Sequence, residues 1–154
     1  MTINNELFIR PPLSFEIPND GVTNVDRPED SNQWEVLKYE LESFVCEGEY
    51  EHGLERILDS YVGHRNRTTQ PAVWVSGFYG SGKSHLVRVL QHLWSDTKFP
   101  NGATARGLAD IPQGIQDQLT ELTTLGRRDG AAPWAAAGAL DRSGDTLNSV
   151  FLSI

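Results

Sequence analysis

Eight residues, Gly77-Phe78-Tyr79-Gly80-Ser81-Gly82-Lys83-Ser84, constrain this chain more than any other stretch. They fit G-x-x-x-x-G-K-[ST], the P-loop or Walker A pattern, and each position has a physical task. Glycines at 77, 80 and 82 permit backbone angles barred to other residues and let amide N–H groups turn inward toward an anion. A helix starting after Gly82 aims its unpaired N–H groups and positive dipole end at the same place. Lys83 can reach the β- and γ-phosphates of a nucleotide as a mobile charge, and Ser84 offers a hydroxyl to Mg²⁺.

The flanks suit the motif. Pro71 is followed by Ala72-Val73-Trp74-Val75, a short apolar, β-rich run that reads as a buried strand. After the loop, Leu86, Val87, Leu90, Leu93 and Trp94 recur at helical spacing until Asp96, Pro100 and Gly102 end the pattern. Strand, glycine loop and helix together predict an α/β fold with a P-loop NTPase core that binds ATP and Mg²⁺. His85, next to Ser84, can approach the phosphates or simply cover the helix surface.

Upstream, the first thirty residues hold Pro11, Pro12, Pro18 and Pro28 between short apolar pieces, which predicts an extended arm lying on another surface. From Trp34 to Val45 the apolar residues satisfy both a helical and a strand period. Tyr50, Leu54, Ile57, Leu58 and Tyr61 line one face of a helix that stops near Gly63. Tyr61 and His64, just before the expected strand, are candidates for reading adenine. Downstream, Ile115, Leu119, Leu122 and Leu125 predict a helix between Pro112 and Arg127, packed on a sheet. Arg127-Arg128 can serve as a pair facing nucleotide or DNA, or as an exposed helix end.

Charge divides the chain at the same place. All of the net charge of −8 lies in residues 1–70, and residues 71–154 are neutral. We read 1–70 as an acidic arm and helical segment, and 71–154 as the first part of an ATPase domain. So acidic a chain does not hold DNA by bulk charge. No apolar run approaches the roughly 20 residues of a membrane span. One cysteine, Cys46, excludes an intrachain disulfide and makes a zinc site improbable, since His52, His64 and His92 have no metal spacing. These features suit a soluble cytoplasmic protein.

Hydrolysis of ATP also needs an acid on a neighbouring strand to hold Mg²⁺ through water. Asp141, after the apolar but Ala-rich stretch 134–140, is one candidate, and a turn residue is the other reading. Asp141-Arg142-Ser143-Gly144 fits the D-x-x-G of GTPases, but the chain has no N-K-x-D guanine-reading motif. After Asp145, Leu147, Val150, Phe151 and Ile154 form a helical stripe on which the sequence stops. That ending predicts that residues 1–154 begin a longer protein whose catalytic strand lies beyond them.

Two stretches resemble the BREX-system P-loop ATPases of bacterial phage defence, the BrxC/PglY family. One is the string from Trp74 through Gly80 and Lys83 to His85; the other is Glu40-Leu41-Glu42-Ser43-Phe44-Val45, with the helix ending Leu58-Asp59-Ser60-Tyr61. The Gly21 to Asp30 stretch also resembles that family's N-terminal arm. The resemblance implies a large multidomain ATPase of the additional-strand type, acting beside a DNA methyltransferase and a phosphatase-like partner. It assigns Lys83 to the nucleotide and Ser84 to Mg²⁺, and leaves DNA contact to other regions or subunits. In such a core the P-loop strand lies between two later strands, so residues 1–154 alone are expected to expose unpaired edges and be poorly stable. A small-molecule P-loop kinase and a regulatory module that binds ATP without hydrolysis remain the alternatives.

Overall fold

The computed structural model describes residues 28–65, 67–69 and 71–138. These form five helices: α1 (Ser31–Glu42), α2 (Glu49–His64), α3 (Lys83–Ser95), α4 (Ala105–Leu108) and α5 (Gln113–Arg128).

Helices α1 and α5 show local reasons for where they start or stop. Asp30 is the N-cap of α1, and its carboxylate accepts the Gln33 N–H at 2.8 Å. This cap settles the ambiguous Trp34–Val45 stretch as helix up to Glu42. The chain then turns, and Phe44 and Cys46 enter the core. α5 ends in a Schellman motif. Gly130 takes φ of 76°, the Ala131 N–H reaches Gly126 O at 3.0 Å, and the Gly130 N–H reaches Arg127 O at 3.2 Å. That turn folds back so tightly that a Cβ on Gly126 would lie 2.6 Å from Ala131 O.

One apolar core joins the helices. Leu37 and Leu41 of α1, Leu54 and Leu58 of α2, Leu86, Val89 and Leu93 of α3, and Ile115 and Leu119 of α5 are all buried in it. Tyr61 of α2 packs edge-on against Trp94 of α3 with ring centroids 4.5 Å apart, and Trp34 of α1 meets Phe99 at 5.2 Å. Paired contacts give the directions. Asp59 accepts from Gln118 at 2.5 Å and Arg65 donates to Leu125 O at 2.8 Å, so α2 and α5 run in the same sense. Tyr50 touches the segment before α3 and Tyr61 touches its last turn, so α2 and α3 also run together. α1 runs against them, with Trp34 near the end of α3 and Phe44 near its start.

The expectation of an α/β core is overturned. The described residues are helical and contain no sheet; their one β-bridge joins Lys98 to Thr104. Ala72–Val75 is not a strand, and Trp74 is 89% exposed where a buried strand was expected. The physical reason is that a strand is stabilised by its ladder, and no described segment supplies a partner. Residues 134–138, the described part of the second expected strand, are likewise unpaired, as the alanines and glycine after Trp134 suit. Accordingly, α5 packs on α2 and not on a sheet. The proline-rich arm up to residue 27, Asp141 and the stripe from Leu147 to Ile154 lie outside the described residues.

α3 buries polar groups among its apolar ones. Arg88 and Glu40 face each other at 2.9 Å, each side chain only 4% exposed. His92 is buried one turn further on, its Nδ1 2.9 Å from Thr97 Oγ1. Burial, helped by the Arg88 charge, lowers the His92 pKa from 6.5 to about 4. The unfolded chain therefore binds a proton that the folded chain refuses between these two values. Stability from this group is complete above pH 6.5 and is lost as pH falls toward 4, by about 3 kcal/mol. Urea denaturation across that window should show this loss, and His92→Gln should flatten the slope.

Candidate functional site

The glycine-rich segment sits at the start of α3, as its sequence requires. Gly80 and Gly82 both have φ of 78°, and Gly82, in the left-handed region, is the N-cap of α3. No side chain caps this end. Backbone hydrogen bonding resumes only at Leu86, whose N–H reaches Gly82 O at 2.9 Å. The N–H groups of the first turn are thus free for an external acceptor.

Lys83 folds back over the loop. Its Nζ donates to Phe78 O at 2.7 Å and to Gly77 O at 3.0 Å, with Ser81 Oγ at 3.5 Å. Gly77 has its own steric reason, because a Cβ there would lie 2.8 Å from Ser81 Oγ. The Ser81 N–H closes the turn onto Phe78 O at 3.2 Å. Phe78 and Tyr79 project into solvent, and Ser84 is exposed on the first helical turn. The loop therefore combines a cation, a hydroxyl and unpaired amides at the positive end of a 13-residue helix. These donors fit a polyphosphate, and the Ser84 hydroxyl is free to join the ligands of a magnesium ion.

The other candidates are placed elsewhere. His85 turns toward α1, with Nε2 3.1 Å from Glu40 O and its ring edge-on to Phe44 at 5.7 Å. Because a carbonyl accepts, Nε2 carries the proton in this contact. Tyr61 packs on Trp94, at the opposite end of α3 from Lys83 and about 16 Å away along the helix. His64 approaches Ser60 O with Nδ1 at 2.7 Å. Neither is brought to the loop. Arg127 and Arg128 are exposed at the end of α5. Cys46 is buried, and burial with Glu51 and Glu55 nearby raises its thiol pKa to about 11, far from that of a reactive thiolate. Among the described residues, no group of three His, Cys, Asp or Glu side chains is arranged to hold a metal.

One contact to the loop escapes any reading of the motif. The Tyr50 hydroxyl, from the first turn of α2, donates to Ser81 O at 2.6 Å. Tyr50 precedes the motif by 27 residues in an acidic stretch, and its apolar periodicity marks it only as core.

None of the helices among the described residues is long and apolar enough to cross a membrane. No protein-family model matches the chain, and no solved structure matches it.

Proposed function

We propose that the loop Gly77–Ser84 and the first turn of α3 bind ATP with Mg²⁺. The observation carrying this reading is the conjunction of the full G-x-x-x-x-G-K-S string with an uncapped helix start whose lysine lies over the loop. The physics of anion capture needs only the amides, the helix end and the cation, all of which belong to this helical body. Lys83 neutralises phosphate charge, Gly80 and Gly82 let the backbone turn its N–H groups outward, and Ser84 supplies an oxygen to the metal.

The wider setting we propose is that of an ATP-binding subunit in a cytoplasmic phage-defence complex, with methyltransferase and phosphatase-like partners. Its support is the likeness of Trp74–His85 and Glu40–Val45 to the BREX ATPases. Turnover of ATP belongs to the same proposal.

Calorimetric titration of ATP-Mg into the 154-residue chain tests the binding step. Lys83→Ala should weaken affinity by about 10- to 100-fold, the range for losing a charge-assisted contact. Equal affinity in the two proteins would exclude this loop as the site.

A further inference from the structure

The peptide unit between Ser81 and Gly82 is held from outside the motif. Its carbonyl accepts the Tyr50 hydroxyl at 2.6 Å. The described chain has no cis peptide bond, so the C=O and the following N–H point in opposite directions. Fixing Ser81 C=O toward α2 therefore fixes Gly82 N–H away from α2, and this N–H has no hydrogen-bond acceptor among the described residues. Gly82 itself is matched to this arrangement twice. Its φ of 78° suits glycine, and a Cβ would collide with the Tyr50 hydroxyl.

Tyr50 is in turn held by its surroundings. Its ring lies edge-on to Phe44 at 5.9 Å, and Phe44 lies edge-on to His85 at 5.7 Å. His85 returns to α1 through Glu40 O. The peptide that begins α3 is thus clamped by an aromatic cluster drawn from the end of α1, the start of α2 and the first turn of α3.

We propose that Tyr50 is a positioning residue for phosphate: its hydroxyl orients the Gly82 amide so that this N–H donates to the bound polyphosphate. The inference rests on the reading of Gly77–Ser84 as a triphosphate site and adds a determinant that the motif does not contain. Without the hydroxyl, the Ser81–Gly82 peptide is free to rotate, since glycine permits both orientations. The donor is then present but not pre-aimed, and binding must supply the ordering.

Tyr50→Phe keeps the ring and removes one oxygen. With ATP-Mg and, separately, with inorganic pyrophosphate, this variant should bind about five- to tenfold more weakly than the parent chain, in the range of one hydrogen bond. Amide NMR supplies a readout that a merely structural role would not move. On adding pyrophosphate, the Gly82 N–H resonance should shift downfield in the parent chain and shift much less in Tyr50→Phe at saturation, with the resonances of α5 unchanged in both. Should Tyr50→Phe lose its fold, hydrogen exchange in the parent chain decides the matter: pyrophosphate must protect Gly82 N–H. Parent-like affinity and a parent-like Gly82 shift in Tyr50→Phe, with Lys83→Ala still defective, would overturn the role of Tyr50 alone. Failure of the parent chain to bind either ligand would overturn both this role and the site it serves.

Discussion

Arg88→Met will destabilise the fold by about 3–5 kcal/mol, while the double variant Arg88→Met, Glu40→Leu will recover most of the loss. The two charges face each other at 2.9 Å across the packing of α1 on α3 and are almost wholly removed from water. Such a pair gains little over two apolar side chains of the same size, because desolvation offsets its attraction. Removing only the cation is a different matter, for it leaves the Glu40 carboxylate buried and facing an apolar side chain. Chemical denaturation of the two single variants and the double variant gives a coupling energy directly. A large positive cost for the double variant would show that the pair stabilises this fold outright. A small cost would show that the pair adds little net stability over apolar packing between α1 and α3.

A second large loss is expected at Arg106, in the short helix α4. Its guanidinium donates to Leu93 O at 2.7 Å, Trp94 O at 3.0 Å, Leu119 O at 2.9 Å and Thr123 Oγ1 at 2.9 Å. Two of these acceptors are carbonyls in the last turn of α3, where a cation also meets the negative end of the helix dipole. The other two belong to α5. Arg106 therefore ties helices that begin thirty residues apart. Burial pushes its pKa down from the ordinary value and the Asp96 carboxylate pulls it back, and the group stays charged. Arg106→Met leaves these acceptors without their donor and should cost about 3 kcal/mol, which lowers the melting temperature by about 10 °C. Arg106→Lys should restore little, because an ammonium cannot reproduce a planar fork directed at four acceptors. Thermal melts of the two variants would show whether geometry or charge matters here; equal recovery by lysine would favour charge.

These two predictions concern residues that no local pattern marks. Helices α2, α3 and α5 are legible from apolar spacing and from the residues that bound them, since those signals act over one or two turns. The face that α3 buries is less legible. Reading Leu86, Val87, Leu90, Leu93 and Trp94 as the inward stripe leaves out Val89, which is fully buried, and includes Val87, which is 40% exposed. The stripe is displaced because Arg88 and His92 also face inward, and each is accommodated by a group elsewhere in the fold: Glu40 lies 48 residues back, and Thr97 lies beyond the helix end. Charge in a sequence signals solvent unless its partner is known, and the partner is a tertiary fact.

The failed strand has the same origin. Ala72–Val75 has the composition of a strand, but a strand is completed only by pairing, and composition says nothing of what lies alongside. The loop behaved differently. Its glycine angles, its lysine and the helix start depend on residues within a few positions of one another, so this local geometry was legible in the string alone. Tyr50 could not, since it reaches the loop through the packing of α2 beside α3.

The shared sense of α2, α3 and α5 has an electrical consequence. Three helices laid the same way add their dipoles, with positive ends near the loop and negative ends at the far side. The side chains are arranged against that field. Glu49 and Glu51 stand in the first turn of α2 with Glu47 just before it, while Arg65, Arg106, Arg127 and Arg128 gather where α2, α3 and α5 finish. Charged side chains thus oppose the backbone dipoles at both ends of the body. On the proposed reading of the loop as a polyphosphate site, these carboxylates oppose the ligand at long range, and the bare amides and Lys83 attract it at contact. The same reading implies that counter-ions such as magnesium ease binding, because they screen or neutralise the ligand's charge before it meets the carboxylates.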